Sequence, residues 1–160
     1  ALNCTGPITL CHHLGGLMRD RGRGGIILLS SLSGLTGGAF VATYSATKAF
    51  DITLAESLWA ELHPHGVHVL GLIAGATDTP AMAATGVDFT EGQAMSSRDV
   101  AREGLQRLPH GPLHIAGDGN RMAEPLLRGT DRRQSVALMT AGAAALYGLK
   151  VPTLPAEGED

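Results

Sequence analysis

Aromatic residues are scarce in this 160-residue chain: one Trp, two Tyr and three Phe make up 4% of it. Cysteine is scarcer still, with Cys4 and Cys11 alone. On one helix, seven positions span about 10 Å of rise. A disulfide needs Cα atoms within about 7 Å. A reducing compartment follows as the expectation, with the cytoplasm as the location. No stretch approaches the roughly 20 apolar residues of a membrane-crossing helix. The longest candidate, 136–149, is interrupted by Thr140, Gly142 and Gly148 and reads as a packed or surface-lying helix. Positive charge is not in excess either. The net charge of −3 gives no electrostatic footprint for nucleic acid or an anionic membrane. There is no initiator Met, and the chain opens inside a helical pattern, so a fragment or processed product is expected. Internal repeats are absent.

Glycine is abundant, with 22 residues, alongside 44% hydrophobic and 17% charged residues. That balance suits one soluble α/β domain with a real core and tight turns. The expected division is a domain over 1–150 and a loose acidic tail over 151–160.

Periodicity orders the elements. Leu10, Leu14, Leu17 and Met18 predict a helix over 2–21, with Pro7 resetting its first turn and a Gly-rich stop after it. Residues 26–29 form an apolar run without alternation, as in a parallel strand covered on both faces. A polar, Gly-rich loop over 30–43 leads to a helix over 44–62. Phe50, Leu54, Leu58 and Leu62 have the spacing of a buried face. A second buried strand is expected over 67–73 and a long irregular segment over 74–97. Segments of that length are more often functional than ornamental. Ser96 with Asp99 resembles a helix-start signal for 98–108. A short strand over 113–116 and helices near 121–128 and 132–149 complete the order. Alternation of this kind predicts a parallel sheet with helices on both faces. Its ligand crevice lies beyond the carboxyl ends of the strands. Ser30, Ser31 and residues 74–79 should meet the head of the Tyr44 helix there.

In Thr43-Tyr44-Ser45-Ala46-Thr47-Lys48 a phenol and an ammonium stand four positions apart. On a helix they share one face, with Cβ atoms about 5–6 Å apart. A tyrosine in water ionises only near pH 10. A fixed positive charge close by favours the phenolate. Such a tyrosine can give a proton to a carbonyl oxygen or take one from an alcohol.

Together the motifs resemble the catalytic half of the short-chain dehydrogenase/reductase family. The resemblance runs from Asn3-Cys4-Thr5-Gly6, through Gly25-Ile26-Ile27-Leu28-Leu29-Ser30-Ser31-Leu32-Ser33-Gly34 and the Tyr44…Lys48 pair, to Ala74-Gly75-Ala76-Thr77-Asp78-Thr79-Pro80. Thirteen positions separate Ser31 from Tyr44, as is usual in that family. The resemblance implies the C-terminal part of a Rossmann-like, doubly wound parallel sheet. It also implies an oxidoreductase that interconverts a secondary alcohol and a ketone with NAD or NADP. Tyr44 would be the general acid/base. Ser31 would hold the substrate oxygen, and Lys48 would assist Tyr44 and bind the nicotinamide ribose. Asn3 would fix a relay water, and Ile73, Gly75 and Thr79 would lie against the nicotinamide end. A homodimer or tetramer paired through helices 2–21 and 44–62 is implied as well, with a small, fairly hydrophobic carbonyl compound or alcohol as substrate.

Two departures stand out. The usual Pro-Gly after the second strand is Ala74-Gly75 here, which loosens the turn. The Gly-rich strand-to-helix turn that would hold a pyrophosphate does not occur in these 160 residues. Gly34, Gly37 and Gly38 have the wrong spacing and precede the wrong helix. A non-catalytic half-domain, acting as a binding or structural module, is therefore the competing expectation. Other chemistries are weaker. Ser33 lacks the flanking glycines of a hydrolase elbow, since Ser31 and Leu35 occupy those positions. His63, His65 and His68 read as an exposed turn and not as metal ligands, and His12-His13 as helix surface. Met82, Phe89 and Met95 either line an apolar pocket or seal the core.

Overall fold

The computed structural model describes residues 2–84, 86–87, 94–129 and 131–153. Three parallel strands form the main sheet: β1 (Gly24–Ser31), β2 (Val67–Ala74) and β5 (Leu113–Ile115), in the order β1-β2-β5. Register is continuous from Gly24↔Val67 to Ser31↔Ala74, so the carboxyl ends of β1 and β2 finish side by side. The helices α1 (Thr5–Asp20), α2 (Ala42–Leu62), α3 (Pro80–Ala83), α4 (Ser97–Arg107), α5 (Asp118–Leu127) and α6 (Arg132–Tyr147) connect or follow them. The segment after β2 is less irregular than expected. Its short strands β3 (Thr77–Asp78) and β4 (Met95–Ser96) pair in parallel. No described helix is long and apolar enough to cross a membrane.

The two faces of β2 divide the core, as the two-residue period of a strand requires. Val67 and Val69 pack with Leu28, with Cys11 of α1 and with Ala55 and Leu62 of α2. Ile73 packs on the same side with Ile52 and Ile115. Leu70, Leu72 and Ala74 face the other way, onto Val100 of α4 and Ala116. Helix and strand approach closely at Gly104, where a Cβ would lie 2.5 Å from the Leu72 side chain.

Two expectations about burial need correction. The 26–29 run is not covered on both faces: Leu29 is 54% exposed, and among the described residues β1 pairs with β2 alone. Along its outer edge runs an open groove of about 430 Å³ that α1 overhangs, lined by Leu10, Leu14, Ile26 and Leu28 among others. On α2 the deepest seam is Ser45, Asp51, Ile52, Ala55 and Leu62, with Phe50, Leu54 and Leu58 half-buried. Ala55 lets the helix lie close on the sheet, where a Cβ at Gly71 would sit 3.0 Å from the Ala55 Cβ. Cys4 and Cys11 are both free thiols.

Ser96 caps α4 as expected, accepting a hydrogen bond from the Asp99 N–H at 3.1 Å. Below it, Glu103 ties three elements together. Its carboxylate meets His114 Nε2 at 2.7 Å and accepts from Arg121 Nη1 at 2.5 Å and from the Gly117 N–H at 3.0 Å. Partial burial pushes this carboxyl upward. The hydrogen bonds from His114, Arg121 and Gly117, with the Arg121 charge, outweigh it and hold the group at about 2, against an ordinary 4.5. A carboxyl depressed in the folded state stabilises the fold above its unfolded value. That contribution is therefore full above pH 4.5 and is lost as pH falls through about 2. Glu103→Gln is expected to lower stability by about 1–3 kcal/mol at neutral pH and to flatten the acid side of the profile. Urea midpoints measured from pH 7 down to pH 3 check this; parallel curves for the two proteins would refute it.

Candidate active site

Lys48 is the anchor of the site. From the second turn of α2, its Nζ donates to the Leu29 carbonyl at 2.7 Å and to Asp51 Oδ2 at 3.0 Å. It lies 6.0 Å from the centroid of the Tyr44 ring, one turn earlier on the same face. The backbone is stitched at the same level, because Ser30 Oγ donates to the Lys48 carbonyl at 2.7 Å. Two bonds thus fix the head of α2 against the end of β1. Gly34 makes that approach possible: a Cβ there would lie 2.8 Å from the Lys48 carbonyl.

Ser31 is the last residue of β1 and caps the short 3₁₀ turn Leu32–Gly34. Its Oγ accepts from the Ser33 N–H at 3.2 Å, which leaves the hydroxyl proton available to an outside acceptor. This also gives Ser33 a backbone role. Asn3 precedes α1 and donates from Nδ2 to Thr47 Oγ1 at 3.4 Å; Thr47 Oγ1 in turn donates to the Tyr44 carbonyl at 2.9 Å. Asn3 and Lys48 line the same groove beside β1. Tyr44 is 44% exposed.

The residues expected at the cofactor end sit differently from one another. Ile73 is fully buried among Ile52 and Ile115 and has no exposed surface. Gly75 lies against Asn120: a Cβ would be 2.2 Å from Asn120 Oδ1, and Asn120 Nδ2 is itself held by the Ala116 carbonyl at 2.7 Å. Thr79 caps α3, accepting from the Met82 N–H at 3.2 Å. Met95 packs on the core beside Leu70 and Leu72, Met82 is half-buried, and Phe89 lies outside the described residues. Among the described residues, an apolar groove runs along β1 and α1. His63 stacks near Trp59, with ring centroids 5.2 Å apart.

Five contributors leave little or no trace in the sequence. Asp51 and Gly34 have been described. Thr140 of α6 is fully buried, and its Oγ1 accepts from the Ala39 N–H at 3.0 Å. Arg132 donates to Thr36 Oγ1 at 3.0 Å. Together they clamp the loop that feeds α2, which turns through Phe40 at φ 68°, a left-handed conformation uncommon outside glycine. Asn120 fills the space that Gly75 leaves open. Pairing an acid three positions after Lys48 was a readable signal for Asp51; the Thr140–Ala39 bond joins residues 101 positions apart, and the contact of Asn120 with Gly75 is likewise non-local, so neither leaves a local pattern.

A parallel sheet flanked by helices, with its polar side chains gathered at the strands' carboxyl ends, defines the class. It is an open α/β domain, a class in which ligands bind beyond those ends. The model of the short chain dehydrogenases matches residues 1–88, and the chain belongs to that family. It is 33% identical over 130 residues to a 7beta-hydroxysteroid dehydrogenase of Clostridium sardiniense, covering 80% of this chain and 50% of the relative. It is 30% identical over 124 residues to a sorbitol dehydrogenase of Cereibacter sphaeroides, covering 77% and 48%. The chain thus spans about half the length of these relatives. Among solved structures, one of a 7beta-hydroxysteroid dehydrogenase aligns with a TM-score of 0.76 at 22% identity, covering 86% of this chain and 55% of that one. A gluconate 5-dehydrogenase of Burkholderia cenocepacia in complex with NADP and tartrate aligns at 0.65 and 19% identity, covering 76% and 54%.

Proposed function

We propose that the protein containing this chain interconverts a secondary alcohol and a ketone, using NAD or NADP, with Tyr44 as the proton donor and acceptor. The supporting observation is the clamped Lys48 ammonium, 6.0 Å from the Tyr44 ring at the end of β1. The donor set suits the nicotinamide end of such a cofactor. Two of the lysine's three N–H groups have acceptors among the described residues, leaving one for a ribose hydroxyl. Tyr44 and Lys48 would hold that ribose, with Gly75 and Thr79 bordering the ring and Ile73 supporting them from beneath. When bound, the cofactor supplies or accepts the hydride. In reduction, Ser31 donates a hydrogen bond to the substrate oxygen and Tyr44 gives that oxygen its proton. Oxidation reverses both roles. Lys48 stabilises the phenolate left behind, and Asn3 orders the relay side of the site.

The relatives' names span a hydroxysteroid, a sugar alcohol and a β-ketoacyl thioester, so the substrate is a carbonyl compound or alcohol with a sizeable apolar or polyol body. Exposed Ile8 and Leu17 on α1 agree with a homodimer or tetramer formed through α1 and α2. A second reading, a non-catalytic half-domain, draws support from Lys48, whose bonds to the Leu29 carbonyl and Asp51 hold α2 on β1 without a ligand. One titration separates the two: NADH and NADPH fluorescence with the full-length protein, followed by cofactor oxidation on a panel of ketosteroids, ketoses and acetoacetyl thioesters. Binding with turnover is expected; neither cofactor binding at millimolar concentration would leave the half-domain.

A further inference from the structure

Asp51 is a buried charge that the proposed chemistry does not use. Its side chain is 4% exposed, and it forms a 3.0 Å ion pair with Lys48. Its other oxygen, Oδ1, is buried without a hydrogen-bond partner among the described residues. Such a placement is unfavourable for the fold, because a carboxylate loses its hydration and regains half of its hydrogen bonds. What the carboxylate does is hold an ammonium. A lysine head on a four-carbon stem is otherwise free to swing into solvent. Here it is pinned between one acid and the carbonyl of Leu29, two residues before Ser31 ends β1, and 6.0 Å from the centroid of the Tyr44 ring. The other titratable group lining the groove near the acid is the Cys11 thiol on α1, which burial and then the Asp51 charge push upward.

We infer that Asp51 is a positioning residue of the proposed reaction: it fixes the Lys48 ammonium for the ribose and for Tyr44, and acts through Lys48 alone. This rests on the oxidoreductase reading above. The test uses the full-length protein, NADPH or NADH, and whichever panel ketone it reduces. Asp51→Asn keeps the shape and removes the charge; Asp51→Ala is the second variant should Asp51→Asn fold poorly. The expected result is a fall in kcat of about tenfold or more, with substrate KM within about threefold, the signature of a lost transition-state contact. The melting temperature should fall, because Lys48 loses its partner in a largely buried ion pair, so kcat is measured well below that temperature. In a Lys48→Met background the same change should have no further effect on kcat, since residues acting as one unit are non-additive.

Two results would overturn the inference and leave the enzyme reading intact: kcat preserved in Asp51→Asn while Lys48→Met is inactive; or a loss that multiplies with that of Lys48→Met. Near-normal turnover in Lys48→Met and Tyr44→Phe would remove the enzyme mechanism, and this role with it.

Discussion

Tyr44→Phe in the full-length protein is expected to lower turnover by a factor of about 10²–10⁴, the range associated with a positioned general acid or base. The affinity for NAD(H) or NADP(H) should stay within about threefold, because the change deletes one hydroxyl and leaves the lysine contact in place. Lys48→Ala should behave differently and damage both quantities. It removes the ammonium that lies 6.0 Å from the phenol ring and is bonded to the Leu29 carbonyl and Asp51. Folding should survive Tyr44→Phe, since that side chain is 44% exposed and its ring remains. Steady-state rates with parallel cofactor titrations decide the matter. Turnover near that of the native protein would contradict the proton-transfer role given to Tyr44.

The second large effect is on folding. At Gly111 a Cβ would lie 2.1 Å from the Val69 carbonyl oxygen and 3.0 Å from the Trp59 ring. Neither can yield: Val69 is in the middle of β2, and Trp59 is packed beside it on α2. The next residue supplies the Pro112 carbonyl that accepts from the Gly71 N–H at 2.7 Å, so any shift at 111 also breaks the seam between β2 and β5. Gly111→Ala is expected to cost about 3 kcal/mol or more, the upper end for overpacking. That is a large share of a typical domain's stability. Gly142→Ala is the control. It sits within α6 with open space where the Cβ would go, and should be neutral or gain about 0.5–1 kcal/mol. Equal denaturation midpoints for the two variants would contradict the packing at 111.

The parts legible in the residues were those with local periodicity or spacing. The apolar runs of β1 and β2, the cap at Ser96, the stop after α2 and the Tyr44–Lys48 pair all declare themselves within one or two turns. The site's supports do not. Gly34 is one of three glycines between 34 and 38 by sequence, yet it is pressed against the Lys48 carbonyl. The partners in the Thr140–Ala39 bond stand 101 positions apart. Leu29 sits in an apolar run as hydrophobic as β2, but its strand has a partner on one side only among the described residues.

The sequence by itself determined the family, the alternation of strands and helices, and the chemistry on offer: a phenol, an ammonium, a serine hydroxyl and an amide at set intervals. Those properties reside in residue type and short-range spacing, which helical and strand geometry translate directly into faces. Tertiary structure alone decided which groups are held and by what: Lys48 pinned by Asp51 and Leu29, Ser31 tied to its own turn, Ile73 sunk in the core, and the groove placed along β1. Packing distances between remote segments set those outcomes, and no local pattern encodes them.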